Sequence, residues 1–111
     1  MTTYNAVEQL GFYRKTIDNL DSALLYILAE RFRCTEQVGE LKARHEMPAT
    51  DNERERRQMV RLRDIAANLD LDQQFVENLM HLIVGTVVER HKEIAGEKNE
   101  FSRNSSPTAA R

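Results

Sequence analysis

A permanent cation interrupts the apolar seam of the first predicted helix. Counting in sevens from Leu10 gives the a and d positions of a helix that pairs with another helix, yet position 31 of this seam is arginine. Arg31 and Lys42 are eleven residues apart, which is three helical turns, so they share one face. Arg14 lies about 100° round the same helix and could join them from an antiparallel partner helix. Unpaired buried cations are costly, so the pattern indicates a site for a small dianion.

Further polar residues lie at helical spacing later in the chain. Asp51, Arg54 and Glu55 are spaced i, i+3 and i+4, which places them on one face of the second predicted helix. Val87 and His91 are four residues apart on the third helix and point the same way. The cations and these residues together form the candidate site, because arginine binds carboxylates through two parallel hydrogen bonds.

Simpler interpretations exist for each residue taken alone. Arg31 could extend out of the seam or pair with a carboxylate such as Glu36, and a lone seam cation can serve only to fix helix register. Lys42, Arg54 and Glu55 are individually typical of a solvated surface. The three histidines have no shared metal-ligand spacing, so we expect no metal site.

Composition narrows the class of protein. The chain has 111 residues, and 16 basic side chains against 18 acidic ones give a net charge of −2, which argues against nucleic acid as a partner. No segment is typical of a signal peptide or a membrane span. Cys34 is the single cysteine, which suits a reducing compartment. We therefore expect one cytoplasmic domain without a membrane partner.

Hydrophobic periodicity predicts an all-α fold of three helices. The first runs from about Asn5 to Arg44. The second begins with a capping box in which Thr50 caps the helix and Glu53 reaches back to it. The third is capped by Asp72 and ends at Gly96. Residues 1–96 form the predicted helical domain, and residues 97–111 are a predicted disordered polar tail.

The length of the first helix predicts a second copy of the chain. About 38 residues of helix span roughly 57 Å, whereas a compact domain of this size has a radius of gyration of about 13 Å. The first helix would therefore overhang its own protomer and expose seam residues. A second copy would cover them, so we expect an intertwined antiparallel homodimer.

Four segments taken together resemble the all-helical class of chorismate mutases. They are "YRKTIDNLDSALLYILAERF", "VGELK", "DNERERRQMVRL" and "LDLDQQFVENLMHLIVGTVVE". The resemblance covers about residues 10–95. It implies intertwined dimers of three-helix chains that convert chorismate to prephenate without a cofactor.

The resemblance also implies roles for single residues. The partner's Arg14 and this chain's Arg31 would bind the substrate carboxylates, and Lys42 would contact the ether oxygen and a carboxylate. Asp51 and Glu55 would hold the region of the ring hydroxyl, and Arg54 would add a cationic contact or order the loop before the second helix. The remaining two positions depart from the family pattern.

These departures are Val87 and His91. Val87 replaces a polar residue, often serine, and can only pack. His91 stands where the family commonly has glutamine or a protonated glutamate that donates a hydrogen bond to the ether oxygen. Imidazole can donate from either nitrogen, so His91 is expected to be catalytic together with Lys42 and Arg31.

Two alternatives to the mutase remain open from the sequence. An isochorismate-pyruvate lyase has the same fold, although the acidic segment "TDNERE" favours the mutase. A non-catalytic helical dimer would instead pair the seam cations with its own carboxylates and leave no cavity.

Overall fold

The fold is built from three α-helices. A computed structural model describes residues 5–105, with side chains described up to residue 97. The helices are α1 (Ala6–Arg44), α2 (Asn52–Asn68) and α3 (Gln73–Ser105), and no strand occurs within these described residues. The predicted all-α fold with a long first helix is therefore confirmed.

The chain packs as two units, one up to Cys34 and the other from Thr35 onward. The first unit contains most of α1, which begins where the Asn5 side chain accepts a hydrogen bond from the Glu8 N–H at 2.8 Å. Its seam side chains are exposed, including Tyr13 at 68%, Leu20 at 62% and Ile27 at 66%. An apolar stripe at coiled-coil spacing is thus left uncovered in the single chain.

The second unit contains the last turns of α1 together with α2 and α3. Its buried apolar side chains are Ala66 on α2 and Ile83 and Ile94 on α3. An ion pair of 2.6 Å between Arg63 on α2 and Glu77 on α3 links these two helices at the surface. Burial of a few aliphatic side chains therefore holds the helices that carry most of the candidate site.

Helices α1 and α2 end in the same hydrogen-bond pattern. After α1, the Met47 N–H donates to Lys42 O at 2.8 Å and the Glu46 N–H donates to Ala43 O at 3.3 Å. These two bonds define a Schellman motif, and Glu46 accordingly has a left-handed φ of 53°. Asp70 takes the same position after α2, with a φ of 56°. Both helices thus end in this motif with a residue other than glycine at the left-handed position.

Two predicted helix ends are wrong. Asp51, not Thr50, caps α2, because its carboxylate accepts a hydrogen bond from the Arg54 N–H at 3.1 Å. Asp is as good a cap as Thr, and its charge also favours the helix N-terminus. Helix α3 does not end at Gly96 but continues to Ser105. One glycine costs only about 1 kcal/mol in a helix, and the good helix formers around it offset this.

The predictions of the α3 cap and of the disordered tail have different outcomes. The Asp72 cap of α3 is confirmed, since its side chain accepts from the Phe75 N–H at 2.9 Å. The predicted disordered tail differs from the helix observed over residues 97–105, and its last part, residues 106–111, lies outside the described residues. In the described part of the chain, no helix is both long and apolar enough to cross a membrane.

Candidate active site

Lys42 connects the end of α1 to the loop that precedes α2. It lies in the last turn of α1 and is half-buried, and its Nζ donates a hydrogen bond to Ala49 O at 3.3 Å. Ala49 is two residues before the Asp51 cap. The structure therefore brings the Lys42 ammonium group to the segment that begins α2.

Three predicted site residues lie at the start of α2: its cap Asp51, and Arg54 and Glu55 in its first turn. Asp51 and Arg54 are exposed, and their side-chain-to-backbone hydrogen bond forms the cap. Glu55 is half-buried and lines a groove of about 580 Å³ between α2 and α3. The volume lies in the range of small-molecule sites. The lining of the groove includes the polar residues Thr50 and Asn52 and the apolar residues Met59, Leu62, Met80, Val84 and Val88.

His91 on α3 is buried against α1. Its side chain is 4% exposed, and its Nε2 lies 2.7 Å from Thr35 O. A carbonyl oxygen can only accept, so Nε2 carries the proton and donates this bond. Nδ1 is shielded from solvent and has no hydrogen-bond partner in the described part of the chain. Val87, one turn earlier on α3, is half-buried.

Arg14 and Arg31 belong to the first unit, and the other predicted site residues belong to the second. Arg14 is exposed. Arg31 is half-buried, and its Nη1 is shielded from solvent without a hydrogen-bond partner among the residues described. A shielded guanidinium nitrogen without an acceptor is costly, so this atom is suited to an incoming anion.

An ion pair joins α1 and α3 beside His91. Arg90 binds Glu36 through two nitrogens, with Nε 3.0 Å from Oε1 and Nη2 2.7 Å from Oε2. The hydrogen bond from Arg90, strengthened by its positive charge, lowers the pKa of Glu36 below the ordinary 4.5, and the same contact raises the pKa of Arg90. Glu36 therefore pairs with Arg90, not with Arg31 as one alternative proposed.

Sequence reasoning missed the residues through which α1 contacts α3. These are Thr35, Glu36, Gly39 and Arg90. The one available signal was Gly39, a buried glycine in the interior of a helix, where glycine is normally unfavourable. Sequence alone marks Gly39 as a weak point in the helix, but it does not indicate that another helix approaches there.

Comparison with known proteins agrees with this helical architecture. The model of the family "Chorismate mutase type II" matches residues 13–92. A chorismate mutase of Methanocaldococcus jannaschii is 30% identical over 98 residues, which cover 88% of this chain and 95% of that protein. The T-protein of Enterobacter agglomerans is 32% identical over 78 residues, which cover 70% of this chain but only 21% of the T-protein.

The fold and these matches define an all-helical isomerase. The chain belongs to the chorismate mutase type II family, and its activity is that of a chorismate mutase, with chorismate as substrate. The matched range includes all eight candidate site residues. The lyase and the non-catalytic dimer are therefore not favoured.

Proposed function

We propose that two copies of the chain form two shared active sites, each of which holds chorismate as a compact dianion. Arg31 and the partner's Arg14 bind the two carboxylates. Lys42 binds a carboxylate and the ether oxygen, and Asp51 and Glu55 hold the region of the ring hydroxyl. Val87 packs beside the ligand, and Arg54 orders the loop before α2. The observation that carries the proposal is the shielded Arg31 Nη1, which has no acceptor in the described part of the chain.

The chemistry needs only binding and charge stabilisation. One carbon–oxygen bond of chorismate breaks as one carbon–carbon bond forms, so no nucleophile or obligatory proton transfer is needed. Holding the flexible dianion in its reactive conformation can contribute several kcal/mol, because well-oriented groups react faster. Lys42 then stabilises the negative charge that grows on the ether oxygen, an effect typically worth about 3 kcal/mol for one preorganised donor.

The exposed seam supports the homodimer. Six apolar side chains of the seam are 45–68% exposed in the single chain: Leu10, Tyr13, Ile17, Leu20, Leu24 and Ile27. A second copy presents the same stripe and can bury it through a two-fold contact. We also propose a cytoplasmic location, which suits the exposed free thiol of Cys34.

The deciding experiment is an assay on purified protein with the product identified. Chorismate should give prephenate, and isochorismate should give no salicylate or pyruvate. Formation of salicylate would make the protein a lyase, and no reaction with either substrate would refute the proposed function.

Replacement of Arg31 tests the assigned binding mode. We expect Arg31→Ala to lower kcat/KM by roughly 100-fold or more, the size of effect seen when one charge-stabilising group is removed. Arg31→Lys keeps the charge but not the planar fork, so it should recover only part of the loss. Far-ultraviolet circular dichroism should show unchanged helicity. Near-normal turnover by the alanine variant would remove Arg31 from the site.

A further inference from the structure

A His91 ring with one proton has no N–H group left for a ligand once that proton is donated to α1. Nε2 carries the ring proton and donates it to Thr35 O at 2.7 Å. In the singly protonated ring, Nδ1 then holds a lone pair and can only accept a hydrogen bond. An ether oxygen is also only an acceptor, so the ring as placed cannot donate to it.

Gly39 allows His91 to approach α1 this closely. A Cβ atom on Gly39 would lie 2.5 Å from His91 Cδ2 and 2.8 Å from Ile94 Cδ1. Both distances are far shorter than a normal carbon contact. The Cδ2–Nε2 edge of the ring thus occupies the space that a side chain at position 39 would fill, directly against the backbone of α1.

The part of α1 that contacts His91 is followed directly by the turn that carries Lys42. Gly39 and Lys42 are three residues apart, and Thr35 is one turn before Gly39. The His91 hydrogen bond and the Glu36–Arg90 ion pair therefore fix the part of α1 from which Lys42 reaches the loop before α2. A shift of this turn would move the Lys42 ammonium group.

We propose that His91 is a positioning residue, which donates from Nε2 to Thr35 and thereby fixes the α1 turn that carries Lys42. It does not donate to the substrate. The proposal rests on the proposed function for the role of Lys42, and it replaces the donor role that the family resemblance implied for His91.

Two amide replacements test which ring nitrogen of His91 matters for activity. A Gln side chain can place its amide NH₂ near the position of Nε2, whereas the shorter Asn places it near Nδ1. We expect His91→Gln to keep kcat within about threefold, and His91→Asn to lower it roughly 100-fold, as for a displacement of about 1 Å. Full activity of His91→Asn with loss of activity in His91→Gln would overturn the proposal. Because glutamine is itself the donor that the family resemblance implies at this position, the Lys42→Ala background separates positioning from donation by the Gln amide. His45→Asn, at an exposed histidine after α1, is the matched control.

A second experiment tests whether the effect passes through Lys42. In a Lys42→Ala background, His91→Asn should add less than about threefold to the loss of kcat, because residues that act as one unit are not additive. If His91→Asn lowers kcat as much in the Lys42→Ala background as in the wild type, His91 acts on the substrate by itself and the proposal is overturned.

The ring nitrogens provide a readout that does not depend on activity. In protein labelled with ¹⁵N-histidine, we expect the NMR spectrum to show His91 Nε2 protonated and Nδ1 unprotonated, with no change when a bicyclic dicarboxylate mimic of the transition state saturates the protein. A proton on Nδ1 in either state would overturn the proposal. If the protein does not convert chorismate, the proposed function fails, and this spectrum still decides the His91–Thr35 contact.

Discussion

At the scale of single residues, Asp51 combines a structural role with a predicted binding role. Its carboxylate accepts the Arg54 N–H and caps α2. We expect Asp51→Ala to lower the free energy of unfolding by about 1 kcal/mol, since the first turn of α2 loses its acceptor. Asp51→Asn should keep the stability, because an amide oxygen also caps a helix.

Comparison of the two Asp51 variants separates the roles. Urea unfolding gives the stability of each, and KM for chorismate reports on binding. If Asp51 only caps the helix, the Asn variant should have normal KM as well as normal stability. A raised KM with unchanged stability would assign the lost charge to the substrate. If Asp51→Ala and Asp51→Asn both have the same free energy of unfolding as the wild type, the observed cap is contradicted.

At the scale of helices, the contact between α1 and α3 depends on the absence of a side chain at Gly39. We expect Gly39→Ala to destabilise the protein by about 1–3 kcal/mol, because the added methyl group overpacks against His91 and Ile94. Gly96→Ala is the matched control, since a Cβ there meets nothing within 4 Å. It should stabilise α3 by about 0.5–1 kcal/mol. Thermal unfolding measures both changes, and equal shifts in Tm would contradict the close approach at Gly39.

The Glu36–Arg90 ion pair makes the same contact sensitive to acid. The pKa of Glu36 is lower in the folded chain than its ordinary value of 4.5, because Arg90 donates hydrogen bonds to the carboxylate. The unfolded chain therefore binds the proton more readily, and the contribution to stability is complete above about pH 4.5 and is lost as the pH falls through the folded pKa.

A stability profile below pH 6 tests this contribution. The free energy of unfolding of Glu36→Gln should depend less steeply on pH than that of the wild type. At the lowest pH, where Glu36 is protonated in both the folded and the unfolded chain, the two slopes should become equal. Glu40→Gln removes a carboxyl group from the same helix without touching the ion pair and serves as the control. Parallel profiles for the wild type and Glu36→Gln would show that the pair contributes nothing.

At the scale of the whole molecule, we expect the apolar seam of α1 to hold two copies together. A charge at Leu20, in the middle of the seam, should separate them, because a buried carboxylate without a partner is costly. Leu20→Glu should have the 12.9 kDa mass of one chain by analytical ultracentrifugation, and the wild type about twice that mass. Tyr26→Glu, at a 78% exposed position off the seam, should remain a dimer.

Mixing two inactive variants tests whether the copies share a site. Arg14→Ala and Lys42→Ala should each lose most activity. After unfolding and refolding together, mixed dimers should contain one intact site, so activity should return to about a quarter of the wild-type value. No recovery in dimers of confirmed mixed composition would show that each site is built from a single chain.

The sequence by itself determined the number and type of the helices, because apolar residues at helical spacing and caps such as Asp72 are local signals. It also determined the family, through motifs that extend over most of the chain. Helix ends were less predictable. Asp51 and Thr50 are both good caps, and an interior glycine such as Gly96 weakens a helix without ending it.

Only the tertiary structure decided which groups are already engaged with other parts of the chain. Helical periodicity gives the face of α3 on which His91 lies, but not that its Nε2 donates to Thr35 in the space left open by Gly39. It likewise does not show that Arg90 forms an ion pair with Glu36. Such contacts join residues more than fifty positions apart, and their partners depend on how two helices pack, which no local pattern encodes.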